Sequence, residues 1–367
     1  MRFGRFIVGL TVLSSLLLAA CSSPASPATP TSADQQVPAA VKADLSGTKT
    51  YLLAKSRELV AETAGLKAAS DAYYELARAR GFDYVALWKQ EPDMARAQVA
   101  EAKARFLKAN PAYELMEGIV AGVETLAQFD VDLDAGIAAI DGTEGVVSFD
   151  VKLPDGKVLA KPGNFFFLTE VTLWGTRPEW TAQSVQPDLD GNGKVEFGEV
   201  LPDATILKGV ADAFAVKSEE LLRAAEAWQP TASDAFTALV VMIPTMDEYF
   251  GAWKESRFVA GEQADSLQFV ATSRLQDIAD ILGGLQVVYN NVKPAVATVD
   301  AAQAGQIESE LTGLRDYVVS ILTKEKAGQK FSVESADLYG TEAQNMATAI
   351  AGQITQAAAK LSIEIKE

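Results

Sequence analysis

The chain reads as all-α: two packed helical bundles with a short β-hairpin and a single EF-hand-type calcium loop between them. Three observations predict this. Apolar residues recur at three- and four-residue spacing over most of the 367 residues. Strand-like patterning is confined to one short segment near residue 150. Residues 188–199 carry a complete cation-loop pattern.

Taken in order, the chain opens on a leader. Arg2 and Arg5 precede an apolar stretch from Phe6 to Leu18 that is too short and too N-terminal to span a bilayer. It ends in Leu18-Ala19-Ala20-Cys21, which resembles a bacterial lipobox, so residues 1–20 are expected to be a lipoprotein signal peptide and Cys21 the lipidated mature N-terminus. Cys21 is the only cysteine, which excludes an internal disulfide. Residues 21–47 are rich in Ser, Pro, Ala and Thr and suit a flexible tether from a membrane. Ser22 and Ser23 follow the cysteine, with no aspartate retention signal. The expected location is the cell envelope, lipid-anchored: outer membrane or periplasm in a Gram-negative host, the outer face of the cell membrane in a Gram-positive one.

Helices should cover Lys49–Arg80, with Leu52, Leu59 and Leu66 on one face, then Met94–Ala109 and Pro111–Ile140, separated at Asn110-Pro111. Val146–Val151 and Lys157–Leu159 flank Pro154-Asp155-Gly156 and predict a hairpin. A short helix should run from Asn164 to Leu173 and stop near Gly175. Later helices are expected over Ala204–Trp228, Ser233–Phe258 with a kink at Pro244, Ala264–Val292, Thr298–Lys326 and Ser332–Leu361. The domain division that follows is an N-terminal bundle with hairpin and calcium loop over 48–203 and a C-terminal bundle over 204–367. Met242, Tyr249, Phe250, Trp253 and Phe258 read as core.

In the loop, Asp188, Asp190 and Asn192 offer oxygens at positions 1, 3 and 5, and Gly193 permits the turn at position 6. Lys194 offers its carbonyl at position 7, Glu196 could act through water at position 9, and Glu199 can bind in bidentate fashion at position 12. A hard cation wants six to eight oxygens, so Ca²⁺ is the expected ion. Pro187 and Pro202 prevent long regular helices on the flanks. With no second loop to pair with, the site reads as a structural clip.

Composition excludes several functions. Without residues 1–20 the charge is 30 basic (32 less Arg2 and Arg5) against 49 acidic, or −19, which repels nucleic acid. The absence of histidine removes the commonest general base, the usual zinc ligand and every Ser-His or Cys-His mechanism. No phosphate-cradling or dinucleotide glycine motif is present. Carboxylates remain. Glu114 and Glu117 share one helix face, and Asp130, Asp132 and Asp134 alternate further on. Glu170 stands in an apolar helix beside Phe165, Phe166, Phe167 and Trp174, an expensive position unless it is paired or ligates a metal.

Phe166-Phe167-Leu-Thr-Glu170-Val-Thr-Leu173-Trp174-Gly175 resembles the Gly-Phe-His-x-x-Glu-x-x-Leu-Trp-Gly signature of imelysin-like proteins, and Tyr113-Glu114-x-x-Glu117 resembles that family's upstream Tyr-Glu-x-x-Glu segment. The resemblance spans about residues 48–364. It implies an envelope protein of two helical bundles that works in iron acquisition with a membrane partner for metal uptake. It also implies a metal site at Glu114, Glu117 and Glu170. The family histidine falls on Phe167 and the glycine two places earlier on Phe165. Any metal there must therefore take oxygen ligands, which suits ferric iron, calcium or manganese better than zinc. Peptidase classification rests on the His-x-x-Glu motif, so this chain is expected not to be an enzyme. Two readings stay open: a lipoprotein that binds metal or another ligand, and a non-catalytic surface scaffold for glycan or protein that has lost the metal site.

Overall fold

A computed structural model describes residues 43–264 and 266–366, which contain twelve α-helices and one two-stranded sheet. The signal peptide, Cys21 and nearly all of the tether lie outside the described residues. Among the described residues no helix is long and apolar enough to cross a membrane.

Helix α1 (Ser46–Ala79) shows how the pattern becomes packing. Leu52, Leu59, Leu66 and Tyr73, seven residues apart, are fully buried. Ser56, Thr63 and Ser70 fill the alternate core positions, and their hydroxyls donate to the carbonyls of Leu52, Leu59 and Leu66 at 2.8–2.9 Å. Small side chains with internally satisfied hydroxyls let neighbouring helices approach. Those neighbours are α3 (Pro92–Val120) and α6 (Ala204–Ala227). The short α2 (Tyr84–Gln90), capped by Asp83, was not expected from the sequence.

The second bundle comprises α7 (Ala232–Met242), α8 (Met246–Glu255), α10 (Arg274–Val299), α11 (Ala301–Lys326) and α12 (Val333–Lys360). The short α9 (Arg257–Ala260) follows α8. Helix α10 also crosses α3, and the crossing needs glycine. A Cβ on Gly284 would strike the Leu115 carbonyl, and one on Gly118 would strike Leu285. The expected boundary at 203/204 assigns α6 to the C-terminal bundle. Its apolar face instead packs on α1, so α6 belongs to the first bundle.

Several expected boundaries move. Pro111 does not interrupt α3. The carbonyl it orphans belongs to Leu107, a residue 43% exposed on the solvent side of the helix. The helix expected to reach Ile140 ends at Val120. A turn leads to α4 (Ala127–Asp130), a π-helical turn (Val131–Ala135), and Ile140, which is 88% exposed. Pro244 ends α7 outright rather than kinking it. The hairpin forms as β1 (Val151–Lys152) and β2 (Val158–Leu159), paired antiparallel.

Helix α5 (Phe165–Trp174) follows expectation. Asn164 accepts from the Phe167 amide at 2.7 Å, and Gly175 closes it in the left-handed region at φ 73°. Residues 188–199 lie between a 3-10 turn at Pro178–Trp180 and α6, with no helix directly on either flank, as Pro187 and Pro202 require. The loop braces α3 through Arg96, which donates to the Asp188 carbonyl at 3.1 Å, and Lys103, which donates to that of Gly198.

Candidate functional site

One face of α3 carries Asn110, Tyr113, Glu114 and Glu117, a stripe set by helical spacing. Against it stand Asp130 and Asp134, brought to one side by α4 and the π-helical turn. Arg274 and Asp277 arrive from the first turn of α10, and Tyr249 from α8. The result is five carboxylates around one guanidinium. Arg274 reaches Glu114 at 3.5 Å, Asp134 at 3.4 Å and Asp277 at 3.4 Å, and its guanidinium lies over the rings of Tyr249 (4.5 Å) and Phe269 (4.7 Å).

Neutral donors complete the cluster. The Tyr113 hydroxyl donates to Asp130 at 2.6 Å, and that of Tyr249 donates to Glu117 Oε1 at 2.6 Å. Asn110 donates to Glu114 at 3.2 Å and to Asp277 at 3.0 Å. Glu117 Oε2 is buried without any partner. Burial pushes the carboxyls up: Asp134 to about 6, Asp277 to about 7, and Glu114 and Asp130 well above their ordinary range. Neighbouring carboxylates add to the push, and Arg274 opposes it.

Glu117, Asp130, Asp134, Phe167, Tyr249 and Arg274 line a cavity of about 520 Å³. Glu114, Glu117 and Asp134 each bring one oxygen to within 4.8 Å of the others. This donor set suits a hard cation that completes its shell with water. The unpartnered Glu117 Oε2 is the atom such a cation would satisfy. Phe167 lines the cavity with an apolar ring, and the Arg177 guanidinium lies 5.7 Å from that ring.

The structure brings Glu114 and Glu117 together, as expected, but Glu170 is not part of their group. Its carboxylate is spent elsewhere. It accepts three consecutive backbone amides, Phe269 at 2.7 Å, Val270 at 2.9 Å and Ala271 at 2.8 Å, and burial pushes its pKa up to about 7. This anchors the strap 266–273 and explains why α10 starts at Arg274 rather than Ala264: amides that would begin the helix are bound to Glu170. Leu267 and Phe269 of the strap wall the cavity. Asp132 also turns away, to Ser148 and Lys217. Arg274 and Asp277 escaped the sequence reading. Their signal was a charged pair three residues apart on the same buried stripe as Leu275, Ile278 and Ile281.

The 188–199 loop is folded inward. Asp188 accepts amides from Gly191 (2.7 Å), Asn192 (3.1 Å) and Gly193 (2.8 Å), which hold its carboxyl below the ordinary range. Glu199 accepts from Leu189, Asp190 and Glu196 at 2.7–3.0 Å. Asp188, Asp190 and Glu199 each place an oxygen within 4.8 Å of the others. Gly191 and Gly193 take φ values of 78° and 86°, which other residues rarely adopt. The donor set fits Ca²⁺.

No curated protein matches the chain. Among protein-family models, one described as Imelysin, and named as a peptidase, matches residues 48–361.

Proposed function

The chain belongs to the imelysin family, and from that premise we propose that it is a lipid-anchored envelope protein whose acidic cleft binds a hard metal cation as cargo for iron acquisition. The observation that carries this reading is Glu117 Oε2, a buried carboxylate oxygen without a partner at the wall of a cavity shared with Asp130 and Asp134. Oxygen donors favour ferric iron or manganese over zinc. Glu114, Glu117 and Asp134 would be the protein ligands, Asp130 would stand beside them, and a cation entering would displace protons that burial retains on the cluster.

Ca²⁺ is proposed at Asp188, Asp190, Asn192, the Lys194 carbonyl, Glu196 and Glu199, as a clip that steadies the loop against α3. The membrane is the proposed anchor partner through Cys21, and a membrane protein for metal uptake the proposed recipient. Peptide hydrolysis forms no part of the proposal, since the chain has no histidine and Phe167 can neither ligate a metal nor move a proton.

A second reading is favoured by Arg274. Its three ion contacts supply positive charge where a metal would. In that reading the cluster is structural and the protein is a surface scaffold. Metal analysis of protein purified without chelator, after aerobic and anaerobic loading, separates the two. The cargo reading expects one iron or manganese per chain in addition to calcium, and at least tenfold weaker binding in Glu117→Gln. If neither metal is taken up, the scaffold reading replaces it.

A further inference from the structure

A second cavity, of about 500 Å³, lies on the far side of the strap from the acidic cleft. Its walls come from four separated segments: Phe197 of the 188–199 loop, Arg257 and Phe258 of α9, strap residues ending at Ser273, and Lys326 and Lys330 at the end of α11. The charge there is opposite to that of the molecule. In a chain with 32 basic and 49 acidic residues, this cavity gathers three cations and one carboxylate. That carboxylate, Glu325, accepts the Trp253 indole N–H at 2.6 Å.

The cations are poised rather than paired. Among the described residues Arg257 and Lys330 have no carboxylate or hydrogen-bond partner, and Lys326 donates only to the Gln276 side chain at 2.7 Å. The Arg257 guanidinium lies over the Phe197 ring, 3.8 Å from its centre. That contact holds the guanidinium on the ring face, and with no acceptor on its N–H groups among the described residues it can receive a carboxylate or phosphate in bidentate fashion. Phe197 is 48% exposed, which leaves ring surface beside Arg257 for an incoming group. Phe258 adds a second apolar surface to the same space.

We propose that this cavity binds an oxyanion, a carboxylate or a phosphate, carried on a ring or other apolar body. The oxyanion engages Arg257 with Lys326 and Lys330, and the apolar body rests on Phe197 and Phe258. The proposal is independent of metal binding in the acidic cleft.

The test is calorimetric titration of the full chain with phenyl phosphate, benzoate and inorganic phosphate at low ionic strength. Saturable one-site binding is expected for phenyl phosphate, benzoate or both, tighter than for inorganic phosphate because the latter lacks the ring. The first two arms tell phosphate from carboxylate. The Arg257→Gln/Lys330→Gln double variant should bind at least tenfold more weakly with a melting temperature little changed, since among the described residues neither side chain has an ion-pair or hydrogen-bond partner to lose, and glutamine keeps a polar stem over Phe197. Arg257→Lys, which keeps the charge but loses the fork, should also weaken binding, and Glu117→Gln should leave it unchanged. Failure of both ring-bearing probes to bind, or equal affinity in the double variant, would overturn the proposal.

Discussion

Replacing Arg274 with methionine takes the only cation out of a cluster of five carboxylates. Methionine keeps the unbranched apolar stem and can lie against Tyr249 and Phe269, so lost charge dominates over lost volume. The wild-type side chain is 7% exposed and faces Glu114, Asp134 and Asp277 at 3.4–3.5 Å, all three nearly buried. At an effective dielectric constant near 20, each contact is worth roughly 5 kcal/mol before desolvation, which removes most of it. Removing one partner of such a buried set costs about 3–5 kcal/mol net, because the opposite charges are left uncompensated. For a domain of this size that is roughly 4–8 °C in melting temperature. The sign with pH is a second handle. The folded-state pKa values of Asp134, about 6, and Asp277, about 7, lie above the ordinary value of 3.8. Their stabilising proton uptake is complete below the ordinary value and is lost as pH rises through 6 and 7. Wild-type stability from this cluster should therefore fall between pH 5 and pH 8. In Arg274→Met the loss should be small at pH 5, where the carboxyls hold protons, and full at pH 8. Calorimetric melting at both values measures it, and millimolar manganese should restore the variant more than the wild type at pH 8. A loss of equal size at both values, or none at pH 8, would refute the reasoning.

Glu170→Gln presents one oxygen and an amide N–H₂ to three backbone donors. It should weaken the strap by about 1–3 kcal/mol, seen as roughly ten- to hundredfold faster hydrogen exchange at residues 269–271; unchanged exchange would remove Glu170 as the anchor. Phe167→His places a nitrogen donor on the cavity wall and should shift competition binding from manganese toward zinc, whereas an unaltered preference would mean that position 167 does not reach the cation. Calcium should bind the full chain one-to-one at about 10⁻⁴ to 10⁻³ M and raise its melting temperature, both effects vanishing in Glu199→Ala. An unchanged isotherm in that variant ends the loop assignment. Cys21→Ser should move the protein from the membrane to the soluble fraction or block its processing, and a mature N-terminus mapped by mass spectrometry to any other residue would contradict lipidation.

What the sequence determined by itself was everything written in local repeats. The seven-residue recurrence of Leu52, Leu59 and Leu66 dictated α1, the starts expected at Asn164, Ala204 and Ser332 fall within a residue of the helices capped by Asn164, Asp203 and Ser332, and Gly175 marked where α5 ends. The proposed cation loop is written just as locally, because all of its candidate donors fall within twelve consecutive residues. Pairing Glu114 with Glu117 needed only the helical period. Tertiary structure decided the rest, wherever one group's partner lies far along the chain. Glu170 reads as a ligand from its apolar neighbours, yet it serves backbone amides about a hundred residues away. Those same amides stop α10 from starting where its apolar pattern begins. Arg274 enters the acidic cluster because α10 crosses α3 at Gly118 and Gly284, a contact that no local period encodes. Burial then sets the chemistry. The same carboxylates that would be ordinary solvated acids on an isolated helix become proton-holding groups around one guanidinium, because the fold removes the water that would have stabilised their charge.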